Sequence, residues 1–199
     1  MKLIHFFGLV LVWLPAFAQP PAKVSANDQR NTPLLSRSIY RSKSTWEAQN
    51  GEKATLSKLR GNPVVAAMIY TSCKASCPLM MTDLKAIDRA LSSDEKKKVH
   101  FAIFAFDSKN DLPEQLKLFS DKSGVDSAHW TFFHGSPSSV RELAALLGVK
   151  FKQLEDGGFD HSNVISILDA EGVIARQQIG LRQNPEESIK LLKQLIESK

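Results

Sequence analysis

Cys73 and Cys77 stand in the segment Tyr70-Thr71-Ser72-Cys73-Lys74-Ala75-Ser76-Cys77-Pro78, and they are the only cysteines of a 199-residue chain. A chain of this length buries a full core without a metal or disulfide staple, which leaves the pair available for chemistry. With three residues between them, the two sulfurs converge if the loop folds back. They can then close a disulfide or pinch a soft metal ion. An iron–sulfur cluster takes four protein ligands and zinc prefers four, more than this pair supplies, whereas copper accepts two or three. A plain stabilising disulfide stays open as a reading, although so short a loop gains little entropic stability on closure.

Pro78 suits the first turn of a helix, where its missing N–H is not needed. Cys77 therefore lies at or near a helix N-terminus, where free N–H groups and the helix dipole stabilise a thiolate. One or both thiols should be more acidic than a free cysteine. Helix position favours Cys77 in that role, and loop exposure favours Cys73.

His161 lies in Asp160-His161-Ser162-Asn163, after the turn Asp156-Gly157-Gly158. It is expected on a loop ahead of a strand. As a third ligand it would matter most for Cu(II), which favours nitrogen donors, with Asp160 orienting it from behind. His100, His129 and His134 sit at the starts and ends of strand-like segments and are weaker candidates. Met80 and Met81 offer soft sulfur, but their helical spacing reads as core packing. Asp111 reads as a helix cap, and Asp107 as the end of a strand on the cysteines' sheet edge.

The elements that position these residues follow from pattern. Thr45-Gln49 and Lys53-Leu56 flank Asn50-Gly51, a tight hairpin signal. Pro63-Tyr70 and Val99-Phe106 are apolar on both faces and read as buried strands. Pro78-Leu91 carries Met80, Leu84, Ile87 and Leu91 at helical spacing. Asp111-x-x-Glu114 opens a helix that should stop by Gly124. Trp130-His134 is a short strand, and Ser136-Pro137 starts a helix that Gly148 ends. Asn163-Leu168 and Val173-Gln178 are strands joined by the turn 169–172. Asn184-Pro185-x-Glu187 opens a last helix with Ile189, Leu192 and Ile196 on its apolar face. A hairpin, then β-α-β-α-β-α, then a hairpin and a helix suit a central sheet with helices on both faces.

Lys2, the apolar run from Leu3 to Leu14 and Ala16-Phe17-Ala18 form a secretory signal peptide over 1–18. Residues 19–37 read as a flexible polar leader, and 38–199 as the folded domain. Export places the cysteines in an oxidising compartment, the periplasm in a Gram-negative cell, with no stable membrane span after cleavage. The formal charge is +5. The basic residues are scattered, and the densest run, Asp94 to Lys98, is mixed in sign. That excludes nucleic acid as a partner, while a mild positive charge suits steering toward an acidic partner surface or an anionic membrane.

Tyr70-Thr71-x-Cys73-x-x-x-Cys77-Pro78, the pair Asp107 and Asp111, and the distant Asp160-His161-Ser162 together resemble the SCO/SenC family of copper proteins. The resemblance runs from about Trp46 to the C-terminus. It implies an α/β thioredoxin-like fold: a central mixed sheet with helices on both faces, an N-terminal hairpin and an inserted hairpin. It implies Cys73, Cys77 and His161 as ligands of copper, Cu(I) or Cu(II). It implies an exported chaperone that assists assembly of a respiratory copper site such as the dinuclear centre of cytochrome c oxidase. The implied partners are an apo copper enzyme or oxidase subunit, together with a further copper chaperone or a thiol reductant. The alternative is a thiol–disulfide oxidoreductase that uses Cys73 and Cys77 as a redox pair on client cysteines. The chain departs from the family pattern at Lys74, where proline is frequent, and in the Ser-Lys-Asn between Asp107 and Asp111.

Overall fold

The computed structural model describes residues 34–198. Residues 1–18, read from sequence as a signal peptide, and residues 19–33, read as part of a leader, lie outside the described residues. Residues 34–37 are described, and Leu34 packs against the core.

Nine strands and five α-helices follow among the described residues. The strands are β1 (Thr45–Ala48), β2 (Lys53–Thr55), β3 (Val64–Ile69), β4 (His100–Ala105), β5 (Trp130–Gly135), β6 (Phe151–Gln153), β7 (Phe159–His161), β8 (Val164–Leu168) and β9 (Ile174–Ile179). The helices are α1 (Ser76–Arg89), α2 (Ser93–Lys96), α3 (Pro113–Ser123), α4 (Pro137–Leu146) and α5 (Glu186–Glu197). Seven strands form one mixed sheet in the order β2-β1-β5-β4-β3-β8-β9. Its centre, β5-β4-β3, is parallel, and both flanks are antiparallel. β6 and β7 form a separate two-stranded sheet.

Strand parity divides the core into two layers. Val65, Ala67 and Ile69 of β3 face a cluster that holds Met80, Leu84 and Ile87 of α1, Leu116 of α3, and Leu192 and Ile196 of α5. Val64, Ala66 and Met68 face the other cluster, with Val140, Leu143 and Ala144 of α4, Trp46 of β1, and Ile39 and Tyr40. The two-sided apolar runs at 63–70 and 99–106 are thus the buried central strands, as their composition requires. Asn50-Gly51 turns the first hairpin, with Gly51 at φ 83°, and Gly124, at φ 62°, ends α3.

The sequence reading differs at three places. α3 starts at Pro113, and its cap position is Leu112 with no side-chain hydrogen bond, so Asp111 does not cap it. α2 occupies part of the mixed charge run, held by a reciprocal Ser92–Glu95 capping box. The segment before β8, expected as a loop, contains the β6–β7 hairpin.

Candidate metal and thiol centre

The parallel strands β3 and β4 deliver their carboxyl ends to one edge of the sheet, where sites of open α/β folds gather. Residues 70–75 turn from β3 into α1 there. Cys73 N–H donates to the Tyr70 carbonyl at 3.2 Å, which closes the turn and aims the Cys73 side chain back over the start of the helix. The cap position of α1, Ala75, offers no side-chain acceptor. The Cys73 sulfur takes that role, accepting from Cys77 N–H at 3.4 Å. Both thiols are free and buried: Cys73 is 9% exposed and Cys77 0%.

His161 arrives from the far side of the chain as the last residue of β7. Ligand atoms of Cys73, Cys77 and His161 lie within 4.8 Å of one another. His161 Nδ1 lies 3.3 Å from the Ser162 carbonyl. A carbonyl only accepts, so Nδ1 carries the proton and Nε2 presents its lone pair. Ser76 Oγ stands between the donors, 3.2 Å from that Nε2 and 3.4 Å from the Cys73 sulfur. A hydroxyl has one proton to give. It can serve Nε2 or a Cys73 thiolate, but not both at once.

The two thiols are strongly unequal. Burial raises the Cys73 thiol, but hydrogen bonds from Ser76 and from the backbone at Cys77 and Ala75 outweigh it and bring the pKa down to about 6. Burial pushes Cys77 up to about 12, aided by the charge on Cys73. The helix N-terminus therefore acidifies the cysteine before it, not the one within it. The Tyr70 hydroxyl is raised by burial and by the neighbouring Cys73. The imidazole is packed edge-on to Tyr70 at 6.0 Å and against Phe106 at 4.9 Å between ring centroids. Two soft sulfurs and one imidazole on so short a baseline fit copper by donor chemistry.

Other residues singled out by sequence fall elsewhere. Asp160 is exposed, and the Ser162 carbonyl orients His161 in its place. Asp111 is 1% exposed, and its carboxylate accepts from Thr71 N–H and Thr71 Oγ–H. It thus pins the cysteine turn from the neighbouring loop, and burial raises its pKa against those hydrogen bonds. Asp107 accepts from the N–H groups of Lys109 and Asn110 and holds its own turn. His100 contacts Thr131, His129 contacts Asp88, and His134 contacts the Asp111 carbonyl. Met80 and Met81 are buried core residues. Ser76 and Phe106 are site residues that sequence reasoning did not pick out; no motif marks them, only their neighbours in the fold. Tyr70 opens the cysteine motif, but only the fold shows its ring against His161.

Two thiols and an imidazole gathered at a strand-to-helix turn of a thioredoxin-like sheet define a centre suited to soft metals and to disulfide exchange. The chain belongs to the SCO1/SenC family, whose model matches residues 37–197. It is 27% identical over 148 residues to the SCO1 protein homolog of Bacillus subtilis (strain 168), covering 73% of this chain and 76% of that protein. Its fold is similar to that of Bradyrhizobium japonicum ScoI with copper bound, at TM-score 0.66 and 25% identity, covering 76% of this chain and 96% of that one. It is also similar to BsSco, a member of the Sco family of cytochrome c oxidase assembly proteins in which a disulfide switch was identified. There the TM-score is 0.68 and the identity 26%, over 78% of this chain and 92% of that one.

Proposed function

We propose that this protein is an exported copper chaperone that holds copper through Cys73, Cys77 and His161 and passes it to a respiratory copper enzyme, such as an oxidase subunit with a dinuclear copper centre. The observation that carries the reading is the convergence of the three donors within 4.8 Å. Copper is cargo: it leaves when a client's thiolates replace Cys73 and Cys77, with His161 as the donor that favours Cu(II). The copper-bound relative and the oxidase-assembly relative support the same reading. Export rests on the signal pattern at 1–18 and places the protein in the periplasm of a Gram-negative cell. Among the described residues no helix is long and apolar enough to cross a membrane.

The test is titration of Cu(I) and Cu(II) into the reduced mature protein beside Cys73→Ser, Cys77→Ser and His161→Ala. The expected result is one tightly bound copper, lost in both cysteine variants, with Cu(II) weakened in the histidine variant. A reduced wild type that holds no copper would sink the proposal.

The inequality of the thiols favours a second activity of the same pair. The Cys73 thiolate attacks a client disulfide, forms a mixed disulfide and releases one client thiolate. Cys77 gives up its proton to that thiolate and attacks the Cys73 sulfur, expelling the second. The client gains two electrons, and Cys73–Cys77 becomes a disulfide. Cys77→Ser should accumulate the mixed disulfide and Cys73→Ser should not, as read by non-reducing mass spectrometry.

A further inference from the structure

A groove of about 400 Å³ opens beside the thiol and imidazole centre. Phe106, Phe151 and Phe159 line it, with Phe106 in ring contact with both others at 5.1 and 6.2 Å. Phe106 also touches the His161 imidazole, so the groove and the centre share a wall. One side of the groove is the β6–β7 hairpin that carries His161. The other is the first turn of α4, with Pro137, Val140 and Arg141.

The rim is basic. Lys109, Arg141 and Lys152 line it and are exposed. Among the described residues none of the three is in an ion pair. Asp107 also lines the groove, but it is buried and its carboxylate is spent on the N–H groups of Lys109 and Asn110 and on the Asn110 amide. Asp160 stands opposite Lys152 in the hairpin register but does not line the groove. Ser108, in the same lining, has a buried hydroxyl with no hydrogen-bond partner.

An aromatic floor selects an apolar side chain, and a rim of unpaired cations selects carboxylates around it. We propose that the groove docks an acidic peptide segment with an apolar anchor, belonging to the protein that exchanges copper or electrons with Cys73 and Cys77. The inference rests on that reading of the centre and adds the surface by which the partner is read. Anionic lipid shares the charge preference, but a concave floor between a helix end and a hairpin fits a side chain better than a bilayer plane. Docking here places the partner against Phe106, which touches the His161 imidazole, and against Phe159 on the strand that holds His161.

The experiment is fluorescence anisotropy of a labelled acidic peptide with one central phenylalanine, added to the reduced protein at low salt. The comparisons are the same peptide with alanine for phenylalanine, a lysine-for-glutamate version, and the triple variant Lys109→Glu, Arg141→Glu, Lys152→Glu. Binding of the acidic phenylalanine peptide should weaken about tenfold in the triple variant and about tenfold on loss of the phenylalanine, and should fall with added salt. The triple variant should bind copper as the wild type does. Equal peptide binding by wild type and triple variant overturns the inference, as does no binding by wild type. Preference for phosphatidylglycerol–phosphatidylcholine vesicles over the peptide assigns the rim to membrane and also overturns it. A wild type that docks the peptide but holds no copper keeps the surface and refutes the copper reading instead.

Discussion

The helix that starts at Ser76 turns the Cys77 N–H toward the Cys73 sulfur, and this single fact orders the chemistry of the pair. A sulfur that caps a helix is stabilised as an anion by the dipole and by hydrogen bonds, whereas Cys77, fully buried one residue into the helix, is held neutral by desolvation and by the charge on Cys73. In the reduced, metal-free protein, iodoacetamide should label Cys73 with a rate that rises through a midpoint near pH 6, because only the thiolate reacts and its fraction grows above the pKa. Cys77 should stay unlabelled across the neutral range, since its pKa is pushed up to about 12. Ser76→Ala removes one donor to the thiolate and should move the Cys73 midpoint up by about one pH unit. Mass spectrometry of the two tryptic positions against pH reads all three outcomes. A Cys73 midpoint in the ordinary thiol range would show that the cap does not act on it.

At the scale of elements, the centre depends on three loops held at one sheet edge, and Asp111 ties two of them together. Its carboxylate receives both donors of Thr71, so it fixes the turn that begins the cysteine segment from the loop ahead of α3. Asp111→Ala leaves a backbone N–H and a hydroxyl without their acceptor and should cost about 1–3 kcal/mol in urea unfolding, with weaker copper retention. Asp111→Asn keeps an oxygen acceptor and sheds a buried charge, so it should lose less. Equal losses in the two variants would mean that the carboxylate charge, and not an oxygen acceptor as such, holds Thr71. The same residue shows where the sequence stopped being legible. Asp111-x-x-Glu114 has the form of a capping box, and nothing local says that Thr71, forty positions earlier, competes for the carboxylate and wins. The buried strands, the long helices, Gly51 and Gly124 were readable because each is decided by its own periodicity or backbone angle. The β6–β7 hairpin was not, because its arms are three residues each and largely exposed, too short for a period. Its signal was Phe151 and Phe159, each followed two residues on by a polar residue, on either side of the Gly157-Gly158 turn. Cys73 and Cys77 were picked out by residue type and spacing, His161 became the third ligand through the family resemblance, and the fold brings all three together. Ser76, between them, became visible only in three dimensions.

For the whole molecule, the centre joins parts of the chain that are far apart, and this gives metal and redox state separate signatures in stability. A copper ion bound by Cys73, Cys77 and His161 would cross-link the start of α1 to the β6–β7 hairpin, and any ligand that binds only the folded state stabilises it by mass action, about 4 kcal/mol at a thousandfold excess over Kd. For a chain of this size that is on the order of a 10 °C rise in Tm. A Cys73–Cys77 disulfide closes only a short loop and by the chain-entropy relation is worth about 2 kcal/mol, while it consumes both sulfur donors. Oxidised protein should therefore melt at most a few degrees from the reduced, metal-free form, and should gain nothing from added copper. Reduced protein should gain the full increment, and His161→Ala should keep it for Cu(I) but lose part of it for Cu(II), whose preference is for nitrogen. Calorimetry of the four states, oxidised and reduced, with and without copper, measures these terms separately. An equal copper increment in oxidised and reduced protein would place the metal on donors other than the two sulfurs. An increment confined to reduced protein makes disulfide formation the event that excludes copper, so that the same two sulfurs either carry the metal or have given up their electrons, and never both.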